Sequence, residues 1–417
     1  MAVAIRGGSE RNMITNKFRI YPNKVQIHAF ETTLDLSREL YNAMLQQRIW
    51  AHELGKRVNY NSQQNEIPDM KKAFPEFNNI HSQVLQEVAR RLDKAYDNFF
   101  RRVEEKKKGS KIKAGYPRFK SEDRFNSFTY PQSGFRILEN GHVWLSKIGK
   151  VRTFMHRQIE GEIRTLTIKR DKVGDWFITI TTDLQGSPVM EEGMKHPHDF
   201  TSPIGTDLGL KTLITTSDGE YIAPPKFLRK SEKKLKKAQQ ELSRKVKGSG
   251  KRKKAKKKVA KIDRKIARQR DDHAHKTSTQ LVSKHDLIVL EGLNIAGMMQ
   301  NHNLAKSIAD ASWNTIVQYT VYKAKRAGSL VLLIDPRYTS QKCSRCGNIK
   351  HDLKLSDRIY HCNVCGLTID RDLNAAINIR NDGLKSIGRG TPEFTPVEIG
   401  ALPAMATPVP EAGSPRL

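Results

Sequence analysis

Four cysteines constrain this chain more than any other feature of its sequence. Cys343, Cys346, Cys362 and Cys365 are the only four in 417 residues, and they read CSRC, fifteen intervening residues, then CNVC. Each C-x-x-C pair turns tightly enough to aim two thiolates at one point, and two such knuckles at this separation match a zinc ribbon. Gly347 and Gly366 follow the two pairs, where a knuckle calls for backbone free of Cβ strain. Two disulfides or free thiols are the competing arrangements. The opening MAVAIRGGSERNMITNKFRI lacks a basic stretch followed by a long apolar core, so the expectation is a cytoplasmic chain with reduced thiols. Four protein thiolates leave no open position for a substrate, which makes the expected zinc structural.

Charge narrows the partner. Lys+Arg 74 against Asp+Glu 44 gives a formal net charge of +30, which favours a polyanion. Nucleic acid leads, with a membrane surface as the alternative. No apolar run approaches the roughly 20 residues of a membrane span; the longest, such as Leu330 to Ile334, are strand-sized. Residues 229–270 hold 21 Lys/Arg and three acidic residues, a net of +18, so more than half of the net charge sits in a tenth of the length. Leu235, Leu242, Val246, Val259, Ile262 and Ile266 recur through this window, which reads as a helical hairpin broken at Gly248-Ser249-Gly250. Alone such a hairpin repels itself; on phosphates it releases counterions and gains affinity.

The length implies two to four domains. From Lys24 to about Glu53, Ile27, Phe30, Leu34, Tyr41, Met44 and Leu45 recur at helical spacings. Leu85, Val88, Leu92, Ala95 and Phe99 form a second apolar stripe, with Arg90, Arg91, Lys94, Arg101 and Arg102 opposite, as a solvated face or as phosphate contacts. Over 111–190 the period changes. Phe135 to Leu138, His142 to Leu145, Ile163 to Arg170 and Trp176 to Asp183 read as strands of a small β-barrel or sheet, into which the helical stretch is inserted. Residues 191–203 read as a linker. From 204, strand and helix alternate, which argues for an α/β domain with parallel strands. His285 to Leu290 and Ser329 to Asp335 are strands, and Ser312 to Ala327 and Arg371 to about Asn381 are helices. After Gly388 the composition turns to Pro, Gly, Ala and Thr, as in a disordered tail.

Three carboxylates sit at the ends of these elements. Asp207 lies inside the apolar strand of I-G-T-D-L-G, Glu291 ends DLIVLE, and Asp372 starts the last helix in D-R-D-L-N-A-A. An acid in or at the end of a buried strand is costly unless paired or metal-bound. Three that converge suit Mg²⁺, a hard cation that takes oxygen ligands, and two such ions support phosphodiester hydrolysis. Asp370 competes for the third position but fits a helix N-cap, whereas Asp372 lies one turn before Ala376 on the sheet side. Aromatics near Arg118 and Phe119, or Phe125 and Tyr130, suit either base stacking or a core.

The order GTDLGLK, basic helical insert, VLEGLNI, YTSQKCSRCG, CNVCG and DRDLNAAINI resembles the RuvC-like nuclease domain of TnpB, the OrfB-type protein of bacterial insertion sequences. YPNKVQ and GYPRFKS with FTYP resemble the N-terminal half, and the likeness spans about residues 15–390. It implies an RNA-guided DNA endonuclease, a relative of the ancestors of type V CRISPR effectors. Such a protein binds a guide RNA from the transposon end and cuts double-stranded DNA beside a short adjacent motif, with no membrane partner. The implied catalytic and Mg²⁺ residues are Asp207, Glu291 and Asp372. The implied plan is a wedge-like β-barrel (1–33 and 108–190), an inserted helical recognition bundle (34–107), a RuvC/ribonuclease H-like α/β domain (200–338 and 367–390) with a basic insert (226–275), a zinc ribbon (339–366) and a disordered tail (391–417). A guided or unguided repressor and a strand-transferring transposase are the other activities compatible with these residues; the intact acidic trio speaks against the first.

Overall fold

In the computed structural model, described over residues 3–4, 13–110, 112–184, 200–354 and 356–388, contacts divide the chain into two bodies. One is Arg11–Gly186; the other is Met1–Glu10 with Ser187–Leu417. The expected linker lies mostly, and the expected tail wholly, outside the described residues. Elements are numbered along the chain from β1 (Val3–Ala4), which belongs to the second body.

In the first body, β2 (Met13–Tyr21) alternates. Phe18 and Ile20 are buried, while Lys17, Arg19 and Tyr21 face water. The chain then enters α1 (Lys24–Glu53) through a capping box: the Asn23 side chain accepts from the Gln26 amide at 2.9 Å, and the Gln26 side chain accepts from the Asn23 amide at 3.0 Å. The helix is unbroken across residue 33, where the expected barrel–bundle boundary falls. Then come α2 (Tyr60–Asn65), α3 (Ile67–Ala73) and α4 (Ser82–Lys107). The strands are β3 (Ser127–Tyr130), β4 (Phe135–Ile137), β5 (Val143–Leu145), β6 (Gly149–Phe154), β7 (Glu162–Arg170) and β8 (Trp176–Asp183). They form an antiparallel sheet ordered β3-β7-β8-β2-β6-β5-β4. Among the described residues no ladder joins its edge strands β3 and β4.

Helices and sheet share one core, where the ring of Phe30 of α1 lies tilted 4.8 Å from that of Trp176 and 5.9 Å from that of Phe128. Of the two alternatives left open for the aromatics, Phe125 and Tyr130 take the core, whereas Phe119 is exposed. One sequence expectation is corrected here. Arg91 turns away from solvent, donating to the Ser127 carbonyl at 2.6 Å and the Thr129 hydroxyl at 3.0 Å, because it packs toward β3 rather than along the outer face of α4.

The second body holds β9 (Pro203–Leu208), β10 (Ile214–Thr216), β11 (Tyr221–Ile222), α5 (Phe227–Ser243), α6 (Gly250–Lys284), β12 (Leu287–Glu291), α7 (Ile295–Met298), α8 (His302–Ala311), α9 (Trp313–Ala327), β13 (Leu330–Ile334), β14 (Ile359–His361), β15 (Thr368–Asp370) and α10 (Arg371–Gly388). The sheet order is β1-β13-β12-β9-β10-β11. β9, β12 and β13 are parallel; β1, β10 and β11 pair antiparallel, so the sheet is mixed.

Alternation along β12 separates two cores. Ile288 and Leu290 pack with Ile308 of α8, Trp313 and Ile316 of α9 and Leu281 of α6. Leu287 and Val289 pack with Ile379 and Ile387 of α10. Helices therefore cover both faces, as the near-continuous apolar run of β12 requires. No helix among the described residues is long and apolar enough to cross a membrane.

Candidate functional site

Strand alternation places the carboxylates. On β12, Glu291 shares its face with Val289, which touches α10: a Cβ built on Gly383 would lie 2.5 Å from Val289 Cγ2. On β9, Asp207 shares its face with Gly205, where α10 comes closest. A Cβ on Gly205 would lie 2.2 Å from the Ala376 carbonyl oxygen and 2.4 Å from the Arg380 nitrogen. Only glycine permits that approach. Leu290 pairs with Thr206 in the parallel ladder, so Glu291 and Asp207 stand one step further on, side by side on adjacent strands. Asp372 lies one turn of α10 before Ala376. Asp207 is about 7 Å along its strand from the contact point and Asp372 about 6 Å along its helix.

Electrostatics agree with this placement. The Asp207 carboxyl is raised well above the usual carboxylate range, first by burial, then by the negative charges of Glu291 and Asp372 and more weakly of Asp370, against an opposing pull from Arg371. Burial pushes Glu291 up to about 7, offset in part by the Thr339 hydroxyl, which donates to Oε1 at 2.7 Å. Arg371 donates to Asp372 Oδ1 at 3.1 Å through Nη2, and Arg358 Nη1 stands 4.0 Å from Oδ2. Asp370 is occupied differently: its Oδ1 accepts from the Asp372 and Leu373 amides, both at 3.0 Å, and so caps α10. Asp207 and Glu291 thus stand side by side on one face of the sheet, and Asp207 feels the charges of Glu291 and Asp372. Among the described residues, however, the set of potential ligands drawn into mutual contact is the cysteine quartet.

The four Sγ atoms all lie within 4.8 Å of one another. Cys343 is 3.6 Å from Cys365 and Cys346 is 3.5 Å from Cys362. These are far beyond a disulfide bond and close to the roughly 3.8 Å edge of a tetrahedron with metal–sulfur bonds of about 2.3 Å. The quartet fits zinc. Gly347 and Gly366 adopt φ of 78° and 71°, the left-handed turn of each knuckle. The Cys365 and Val364 amides lower the Cys362 thiol, while Cys346, against the pull of the Asn348 amide, is raised by burial and by the other three thiols, so crowding of the four sulfurs opposes full ionisation of the quartet. The β14–β15 hairpin extends this module to Asp370, past the expected boundary at 366, because Ile359 pairs with Asp370.

The basic window forms the expected hairpin. Ala238 of α5 and Ala255 and Ala260 of α6 are buried, and α6 runs to Lys284, beyond the expected 275. Val246 is 77% exposed at the tip and contributes no core. Arg252 ties the end of α5 by donating to the Leu242 and Lys245 carbonyls. Both oxygens of buried Asp310 accept from the Leu228 amide, and Arg270 pairs with the same carboxylate at 3.0 Å. The hairpin is thereby anchored to α8 while Lys253, Lys254, Lys257 and Lys261 face water.

Sequence reasoning missed Thr339, Asn374, Asn378 and Arg371. For the two asparagines a signal existed: they stand four apart on one face of the last helix, and buried amides need partners.

The sequence is similar to known proteins. Residues 187–302 match the OrfB_IS605 family, described as a probable transposase, and residues 313–379 match the Cas12f1-like TNB domain. Residues 13–57 match a helix-turn-helix domain of OrfB_IS605 proteins, although here that stretch is one strand and one unbroken helix. The chain is 33% identical over 385 residues to a "Putative RNA-guided DNA endonuclease" of Streptomyces pristinaespiralis, covering 90% of each chain. It is 31% identical over 381 residues to "Putative RNA-guided DNA endonuclease InsQ" of Escherichia coli (strain K12), covering 87% of this chain and 90% of the relative. It is 27% identical over 248 residues to "CRISPR-associated endodeoxyribonuclease Cas12f1" of Sulfoacidibacillus thermotolerans, covering 55% of this chain and 56% of that one. The chain belongs to the TnpB family, the OrfB proteins of IS605-type elements, and is related to type V effectors.

Proposed function

We propose that this protein is an RNA-guided DNA endonuclease that cuts at the Asp207, Glu291 and Asp372 face beneath α10. The observation that carries the reading is geometric: the β9–β12 register sets Asp207 beside Glu291, and the close approach of α10 at Gly205 brings the Asp372 end of that helix over the same face. Such an arrangement costs free energy unless a cation joins it, and clustered perturbed acids mark functional sites. The names of the Streptomyces and Escherichia coli relatives support the reaction class.

In this reading the second body carries the RuvC/ribonuclease H-like nuclease domain. The first carries a wedge-like β-barrel with the helical recognition bundle inserted. Asp207, Glu291 and Asp372 would hold two Mg²⁺ ions, which when bound supply an activated water and a stabilised leaving oxygen. Thr339 orients the Glu291 carboxylate and favours its ionised form. Arg371 and Arg358 orient Asp372. Asp370 keeps the first turn of α10 in place and is not a ligand. The α5–α6 hairpin binds the phosphates of the guide RNA or its target. Sequence is read by guide pairing, while the protein reads a short adjacent duplex motif and backbone shape.

The test is Asp207→Ala in the purified ribonucleoprotein with matched double-stranded DNA and Mg²⁺. Guide binding is expected to persist and cleavage to vanish. Equal cleavage by mutant and wild type would defeat the assignment. The transposase description of the matching family favours a second reading, strand transfer by the same acids. Joined products formed without any partner protein would select it.

A further inference from the structure

A chain of buried polar side chains runs from the thiolate quartet to the carboxylates. Asn374 is fully buried two residues beyond Asp372. Its Nδ2 donates to the Lys342 carbonyl at 2.8 Å and its Oδ1 accepts from the Ser344 amide at 3.0 Å. It therefore grips the peptide groups on both sides of Cys343. Asn378, one turn further on and 1% exposed, donates to the same Lys342 carbonyl at 2.6 Å and to the Thr339 carbonyl at 2.9 Å. Thr339, 5% exposed, gives its hydroxyl hydrogen to Glu291. One knuckle thus holds the helix that carries Asp372, and the same helix holds the residue that orients Glu291. Buried amides of this kind are costly to leave unpaired, so the network moves as a unit.

We propose that the two sites are thermodynamically linked through Asn374, Asn378 and Thr339: zinc at the quartet tightens divalent-cation binding at Asp207, Glu291 and Asp372. This rests on the reading of those carboxylates as an ion site. The three linking side chains touch neither ion; they are positioning residues. A knuckle without its metal loses the geometry that Lys342 and Ser344 present to Asn374. Linkage is reciprocal, so a cation at the carboxylates tightens zinc by the same factor.

The experiment measures Mn²⁺ binding to the full chain by electron paramagnetic resonance. Removing zinc, with far-ultraviolet circular dichroism showing helices retained, is expected to weaken Mn²⁺ roughly 5- to 150-fold, the usual range of such coupling. Zinc-loaded Asn374→Ala/Asn378→Ala should show the weakened affinity already and lose its dependence on zinc. If that variant does not fold, Thr339→Val and Thr339→Ser replace it: valine should weaken Mn²⁺ and serine restore it. Chelator competition for zinc with and without Mn²⁺ should return the same factor. Mn²⁺ affinity indifferent to zinc, or a valine variant that binds like wild type, overturns the linkage. Undiminished Mn²⁺ binding by Asp207→Ala overturns the carboxylate reading beneath it instead.

Discussion

Gly205 of β9 lies against the Ala376 carbonyl of α10 so closely that a methyl group on it would come within 2.2 Å of that oxygen. The close approach sets the distance from strand to helix, and hence from Asp207 to Asp372. Gly205→Ala must push α10 outward. Overpacking of this kind costs about 1–3 kcal/mol. A lower urea midpoint is expected, together with a loss of cleavage larger than the loss of folded protein, as checked by activity per folded molecule.

Glu291 predicts a pH dependence of stability. Its folded pKa, raised from 4.5 to about 7, means that the native state keeps a proton the unfolded chain has already lost. The contribution is fully present below about pH 4.5 and disappears as pH rises to about 7, amounting to about 3 kcal/mol. Unfolding of cation-free wild type and Glu291→Gln should therefore differ by an amount that changes across this window, wild type losing ground as pH rises. A constant difference from pH 4 to 8 would contradict the burial argument.

Cys343→Ser removes one of four thiolates from a closed tetrahedron. Metal analysis should find less zinc per chain, and hydrogen exchange should rise across residues 339–346 and the first turns of α10. Metal binding and local folding are one equilibrium in a module this small, whose described core is Cys343, Tyr360 and Cys362 with a few half-buried neighbours. Unchanged zinc content would refute the assignment of the quartet.

Replacing Lys253, Lys254, Lys257 and Lys261 of α6 by Gln should leave folding intact, since all four face water. It should weaken RNA binding and flatten its salt dependence. Each phosphate no longer neutralised lowers the slope of log K against log salt by roughly 0.7–0.9, so the four lysines together account for roughly 3. Filter binding across a salt series measures this directly.

Local spacing alone made several features legible. The thiolate knuckles, the broken basic hairpin and the apolar stripe of α4 depend on residues within a few turns of one another, and each stands where its spacing indicated. The fate of Phe125, Tyr130 and Arg91 was not legible: an aromatic or an arginine beside a basic run reads alike whether it faces water or a neighbouring strand. Spacing favoured Asp372 over Asp370 as the third ligand by reading Asp370 as a helix N-cap, and the Asp372 and Leu373 amides do donate to Asp370. Thr339, Asn374 and Asn378 act through partners 30 to 48 residues away. Such bonds exist only once β12, the first knuckle and α10 have packed, because a buried polar group takes whichever partner the fold brings within hydrogen-bonding reach. The sequence by itself determined which elements form and which residues carry charge or sulfur; the tertiary structure decided which of them face one another.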